Sequence, residues 1–486
     1  MKNANVSKPS QAPFKLNYKR TLLIGFAFFG ILLLWQVYDS WCPTFLTELF
    51  QEALQAESQT EVQYLVGIMM ALDNLAALIL LPVFGHLSDK THTRIGKRMP
   101  YILVGTFVCA VAFPFIPVLF HYHNLAGVIA LMAIVVVFSM MYRNPAVSLM
   151  PDMTPKPLRS KANGLINIMG YVGGACGTLV GVFFVLSDYL GTKDNPHWSL
   201  GPSHSNIWII EIPFLLASVL MLISALVLFF TIKENKIEKE MEPEMKRGEE
   251  EAATADKVSD EAPLTKANRT MLFLILGAEF FWFMADNGIG TFMGNYSLYY
   301  LHCKTSSNLI NTIVGGLGSV VGFAVGGLIA SKIGRKWTVF SGLALTGTCL
   351  AVWAVLTFAI PVATPAPGTY NAFPWYLFVI WGLKGFGMSL VHVNSYPMVV
   401  ELCTGKKIGA YTGYYYASSM AAQTITPIAL GSLLFVLGEQ DSWKFLPVYA
   451  VSCLAISLII FLFVKNVKTK KTEFKVGLEG IGESED

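Results

Sequence analysis

The sequence predicts an all-α membrane protein of twelve transmembrane helices, arranged as two pseudo-symmetric six-helix halves. Three observations carry that prediction. Apolar residues fill 54% of the 486 positions and gather into long uninterrupted blocks, and about 20 apolar residues in a helix cross a bilayer. Charged residues fill only 14%, against about 25% in water-soluble domains, and stand mostly in short strips between the blocks. Motifs of the first half recur in the second.

The blocks place spans 1 to 12 near 22–45, 64–86, 101–120, 125–150, 164–185, 207–232, 271–294, 309–330, 338–360, 375–398, 410–437 and 446–463. Helices and closed barrels satisfy their backbone in lipid. No period-2 alternation runs through these blocks, so helices are expected rather than barrel strands. The five cysteines within apolar blocks, Cys42, Cys109, Cys176, Cys349 and Cys453, read as small core hydrophobes.

Charge sets the orientation. With residues 1–21 taken as a cytoplasmic segment, the strips on that side hold 30 Lys and Arg, while the opposite strips hold Lys193, Lys304 and Lys444. The positive-inside rule then puts both termini in the cytoplasm of a multi-pass plasma-membrane protein. Residues 1–21 are polar and the first block is long enough to span, so no cleavable signal peptide is expected. Residues 233–270 carry eight basic and eleven acidic side chains and cannot bury enough apolar surface to fold alone. They read as a cytoplasmic linker with a helical stretch near Lys233–Met245. It separates an N-terminal half at 22–232 from a C-terminal half at 271–464, followed by a tail at 465–486.

The halves repeat each other. Gly85-His-Leu-Ser-Asp89 follows span 2 and leads to Arg94-Ile-Gly96-Lys97-Arg98. Gly327-Leu-Ile-Ala-Ser331 follows span 8 and leads to Gly334-Arg335-Lys336. Arg143 in span 4 stands nine residues before Asp152, and His392 in span 10 nine before Glu401. Internal symmetry of this kind marks secondary transporters, whose site lies at the interface of the repeats.

These residues resemble the major facilitator superfamily, whose signature after helix 2 is G-x-x-x-D, a basic residue, then G-R/K-R/K. The longer form here, Asp89 through Arg94 and Gly96-Lys97-Arg98 to Pro100, is similar to the sucrose/proton symporters and the glycoside-pentoside-hexuronide cation symporters. Asp152-x6-Arg159-x2-Ala162-Asn163 after span 4 is a second match. Val147 stands where plant sucrose symporters carry an Arg, with Arg143 one turn earlier. The helix-2 acid of the sodium symporters is approximated by Asp73, one turn away. The resemblance implies that helices 1, 4, 7 and 10 line a central cavity, and that helices 5 and 8 meet across the halves. It also implies that Gly85, Asp89, Arg94, Gly96, Lys97, Arg98, Asp152 and Arg159 form a cytoplasmic gate motif.

Ionisable groups inside spans are costly and usually face a wet cavity or a partner. Asp39, Asp73, Glu279 and Asp286 are the acids expected to couple a proton, with Asp73 and Glu279 nearest mid-membrane. Arg143 and Lys384 are the bases. Gln36, Asp39, Asn74, Arg143, Asn144, Asn287, Asn311, Lys384 and Gln423 are candidate polar contacts for a solute, with Trp282 and Trp381 as stacking faces. The Gly173/Gly177/Gly181 and Gly318/Gly322/Gly326 ridges of spans 5 and 8 allow close backbone approach and are expected to form a sliding contact between the halves.

No phosphate-binding loop, metal cluster or nucleophile–base pair is evident in the sequence, so neither an enzyme nor a cofactor is expected, nor a nucleic-acid partner. The resemblance implies a monomer in the lipid bilayer that takes up a glycoside or oligosaccharide, sucrose- or maltose-like, with a proton; sodium is the alternative ion. The other readings are a proton-driven exporter of drugs or metabolites, an organic-anion carrier held by Arg143 and Lys384, and a non-transporting membrane sensor.

Overall fold

A computed structural model describes residues 14–192, 194–257, 266–402, 408–438 and 440–465. Residues 1–13, Lys193, the 258–265 part of the linker and most of the tail lie outside the described residues. Twelve helices among the described residues are long and apolar enough to cross a membrane. Spans 1 to 6 run Tyr18–Leu54, Gln59–Lys90, Met99–His121, Leu125–Asp152, Lys161–Leu190 and Trp208–Thr231. Spans 7 to 12 run Asn268–Tyr300, Thr305–Ile333, Arg335–Ala359, Trp375–Val399, Tyr411–Leu437 and Asp441–Leu462.

Most helices extend beyond their apolar blocks. Asn17 begins span 1, its side chain accepting from the Arg20 N–H at 3.0 Å, and Gln55 ends it in a left-handed conformation. Large apolar side chains such as Phe107, Phe183 and Val355 are exposed, as a lipid-facing surface requires.

The two six-helix halves are packed by their glycines, though not as the sequence suggests. A Cβ at Gly173 would meet the Phe29 carbonyl of span 1, and one at Gly177 would meet Gln36 and the Leu33 carbonyl. Gly318 and Gly322 face Gly382, Phe386 and Ser389 of span 10. Apart from Gly181, the ridges pack span 1 on span 5 and span 8 on span 10 within each half, so the sliding contact expected of the whole ridges narrows to that one glycine. Spans 5 and 8 do meet, with Gly181 against Leu309. Between the halves, spans 2 and 11 approach closely at two glycines, where Gly67 faces the Pro427 carbonyl and Gly431 the Gln63 carbonyl. Both sites lack the repeated spacing that made the ridges conspicuous.

The linker helix, Glu234–Lys257, is docked on the N-terminal half. The Glu234 carboxylate, 2% exposed, accepts the backbone N–H groups of Lys97, Arg98 and Met99 at 3.0–3.1 Å. The Arg98 and Met99 groups are orphan donors at the start of span 3, where a helix N-terminus favours an anion. Gly96 has φ +122°, and a Cβ there would strike the Glu234 carboxylate, so this glycine serves both the turn and the close approach. Asn235 Nδ2 donates to the Thr93 and Arg94 carbonyls at 3.0 Å.

Candidate functional site

A cavity of about 310 Å³ lies between the halves. Span 1 contributes Gln36, Asp39, Ser40 and Thr44 to its wall. The facing wall is Asn287, Thr291 and Asn295 of span 7 with Asn308 and Thr312 of span 8. Spacing explains the span 1 stripe: Gln36, Ser40 and Thr44 are each one turn apart, and Gln36 Nε2 donates to Ser40 Oγ at 3.1 Å. Pro43 lacks an N–H, which leaves the Asp39 carbonyl without its helical donor at the cavity wall.

The polar part of the lining is therefore one carboxylate facing a bank of amides and hydroxyls, beside apolar groups that include Trp41, Met70, Leu186 and Leu309. Of the solute contacts expected from sequence, Gln36, Asp39 and Asn287 line this cavity. Asp39 opens onto it and lies within electrostatic reach of Arg143. Sequence does not single out Ser40, Thr291, Asn308 and Thr312, because a hydroxyl or amide inside a span resembles ordinary helix-packing glue; the one-turn spacings Gln36–Ser40, Asn287–Thr291 and Asn308–Thr312 are the available signal.

The remaining candidates have other neighbours. Asp73 accepts a hydrogen bond from the Tyr38 hydroxyl at 2.8 Å and interacts electrostatically with Asp39. Asn74 Nδ2 donates to the Gln423 carbonyl at 3.3 Å, tying span 2 to span 11. Asn144 Nδ2 donates to the Leu81 carbonyl, tying span 4 to span 2 beside Gly85. Asp286 and Lys384 form an ion pair, with His392 in electrostatic reach of both. His392 is the internal-repeat counterpart of Arg143. Glu279 is fully buried, and neither of its oxygens has a hydrogen-bond partner. Trp282 and Asn311 are fully buried as well, and Trp381 stands edge-on to Trp353 at 5.1 Å, against Gly315.

At the linker face Asp89 and Asp152 of the gate motif converge on Arg98. Its guanidinium pairs with Asp89 and reaches Asp152 at 2.9 Å, while Lys97 lies 3.4 Å from Asp152. Burial pulls this guanidinium down, but Asp152 and Asp89 outweigh it and hold it above its ordinary value. Arg159 donates instead to the Thr154 and Pro151 carbonyls at 3.1 and 3.0 Å, stapling the loop between spans 4 and 5. Arg94 supplies a carbonyl to Asn235.

On the opposite face the halves are joined by hydrogen bonds. Asn295 bonds Thr44 and Thr47 at 2.9 Å, and the Tyr299 hydroxyl donates to Glu48 at 2.7 Å. Lys304 pairs with Asp188 at 2.9 Å, and the Tyr370 hydroxyl reaches the Ser187 carbonyl at 2.6 Å.

A cavity at the seam of two six-helix halves, shut on one face, is the arrangement expected of an alternating-access carrier. The Major Facilitator Superfamily profile matches residues 24–366 and 304–481. The chain belongs to that superfamily. As such it is a multi-pass membrane transporter of small molecules. No curated protein sequence matches it significantly. Solved superfamily-type transporters share its fold. A bacterial homologue of the human lysosomal transporter Spinster, inward-facing and occupied, is 13% identical, with TM-score 0.63 over 94% of this chain and 100% of that one. The xylose transporter XylE from E. coli, partially occluded and inward-open, is 14% identical, with TM-score 0.61 over 94% and 100%. The nucleoside transporter NupG is 11% identical, with TM-score 0.60 over 91% and 99%. At these identities the likeness is one of fold, and the solutes these relatives carry differ.

Proposed function

We propose that this transporter is a proton-coupled symporter of a glycoside or oligosaccharide, acting in the plasma membrane with its linker and termini in the cytoplasm. The observation that carries the reading is the cavity lining. Asp39, Gln36 and Ser40 face Asn287, Thr291, Asn308 and Thr312 across the seam. Polyols need many hydrogen-bonding groups converging from both sides, because each hydroxyl stripped of water must be repaired. An amphiphile exporter needs fewer. An anion carrier needs an uncommitted base, whereas Lys384 is paired with Asp286 and Arg143 lies near Asp39.

Proton coupling is supported by the membrane acids. Asp73 accepts from Tyr38 and interacts electrostatically with the cavity residue Asp39, which puts a titratable group near the proposed solute site. Glu279 is buried with neither oxygen hydrogen-bonded, and an unbonded carboxylate is costly in such a place, which makes it a candidate to exchange a proton during the cycle. Reconstituted vesicles given a labelled saccharide panel, with and without an imposed pH gradient, test the reading. Gradient-driven accumulation of a sugar is expected. Accumulation driven by sodium alone would replace the ion, and export of lipophilic cations with no sugar movement would overturn the proposal.

A further inference from the structure

Asn295 stands where the cavity wall meets the closed face. It lines the cavity with Thr44, and it is 1% exposed. Its Oδ1 accepts from Thr44 Oγ1 at 2.9 Å, and its Nδ2 donates to Thr47 Oγ1 at 2.9 Å and Gln63 Oε1 at 3.2 Å. All three partners belong to the N-terminal half. An amide nitrogen has two N–H donors, so both are committed across the seam and neither is left for a solute. Thr47 is equally occupied, donating to the Pro43 carbonyl and accepting from Gln63.

The local backbone is irregular around this residue. Gly288, Gly290 and Gly294 precede Asn295 in span 7, with open space beside Gly290, and glycine inside a helix lowers its stiffness and stability. Directly after it, Tyr296–Tyr300 wind as a π-helical turn, a distortion found often at functional sites. The cluster is uncharged, so parting the halves exposes amides and hydroxyls that water or a polar solute can satisfy, rather than stranding an ion.

We propose that Asn295 exchanges partners during the transport cycle. Its amide bolts the halves together in the closed conformation, and when this face opens the same donors turn to the entering solute. Asn295 is thus both gate and solute-binding residue, and its bonds to Thr44, Thr47 and Gln63 compete with the solute. The solute part rests on the saccharide reading above; the gate part does not.

The test compares Asn295→Ala with Gln63→Leu, which loosens the same bolt from a residue outside the cavity lining. Thr312→Cys serves as cavity reporter, its labelling by an impermeant maleimide from the face opposite the linker being read above that of the parent chain. Both variants are expected to raise the labelling rate at least five-fold. With labelled sucrose and maltose, Asn295→Ala should raise the KM at least ten-fold, while Gln63→Leu leaves it unchanged or lowers it by favouring the open face. Unchanged labelling in Asn295→Ala, or equal KM changes in the two variants, overturns the proposal. Should Asn295→Ala fail to reach the membrane, Asn295→Ser and Thr47→Val carry the same comparison. If the wild-type chain takes up neither sugar yet the labelling rates rise, the saccharide reading fails and the gate assignment stands.

Discussion

The Tyr38 hydroxyl donates a 2.8 Å hydrogen bond to the Asp73 carboxylate, joining spans 1 and 2 directly beside the cavity residue Asp39. Asp73→Asn keeps a polar group there but cannot titrate. Accumulation driven by a pH gradient should fall at least ten-fold, while solute exchange, which needs no net proton movement, persists. Tyr38→Phe removes one donor and leaves the acid, so it should lower accumulation less. Counterflow and gradient-driven uptake in the same vesicles check both.

Glu279 gives a separable case. Because neither of its oxygens is hydrogen-bonded, Glu279→Gln removes no bond from this conformation and should leave thermal unfolding in detergent nearly unchanged. If the acid exchanges a proton during the cycle, uptake becomes insensitive to the pH gradient. Retained pH-driven accumulation in both Asp73→Asn and Glu279→Gln would exclude both as coupling sites.

At the linker face, Arg98 is the hub and its two acids are unequal. Asp89 is mostly exposed, whereas Asp152 is about one-quarter exposed and also faces Lys97. Exposed pairs contribute at most about 1 kcal/mol, and a charged hydrogen bond shielded from water about 1.5–3 kcal/mol. Asp89→Asn is expected to shift the population modestly toward a conformation open at this face. Asp152→Asn should shift it further and also lower stability. Cysteine accessibility from the linker side reads the shift.

The linker helix is anchored by one carboxylate. A lost N-terminal capping interaction costs about 1 kcal/mol, up to about 2, so Glu234→Ala should free the start of the linker. Limited proteolysis within the linker should accelerate roughly five- to thirty-fold if that cost falls on docking. Gly96→Ala should act the same way, by driving the carboxylate out rather than deleting it.

The glycine ridges now predict a folding defect. Gly318→Leu and Gly322→Leu place a side chain against the backbone of span 10 and should lose membrane-inserted, folded protein. Overpacking typically costs about 1–3 kcal/mol. A Cβ at Gly181 would meet the Leu309 side chain and the edge of Trp41 rather than backbone, so Gly181→Leu should retain expression and slow transport. Fluorescence size-exclusion profiles separate the two outcomes.

Twelve spans, two halves and the membrane acids were legible in the sequence because bilayer physics acts residue by residue. Apolar length, charge scarcity and the repeat after spans 2 and 8 need no knowledge of which helix touches which. The part of the site carried by charged or unusually polar residues was legible for the same reason, so Gln36, Asp39 and Asn287 stood out. Thr291, Asn308 and Thr312 did not, since a polar side chain in a span can serve a neighbouring helix as readily as a solute. Only tertiary packing decides which neighbour it has. That packing turned Asn74 and Asn144 toward backbone carbonyls, seated Trp381 on Trp353, and gave the ridges to spans 1 and 10. It also brought Asn295 to Thr44, Thr47 and Gln63, more than 230 residues away in the chain. Local sequence determines that a segment crosses the membrane. Which face of it meets protein, lipid or cavity depends on long-range contacts that no local pattern encodes.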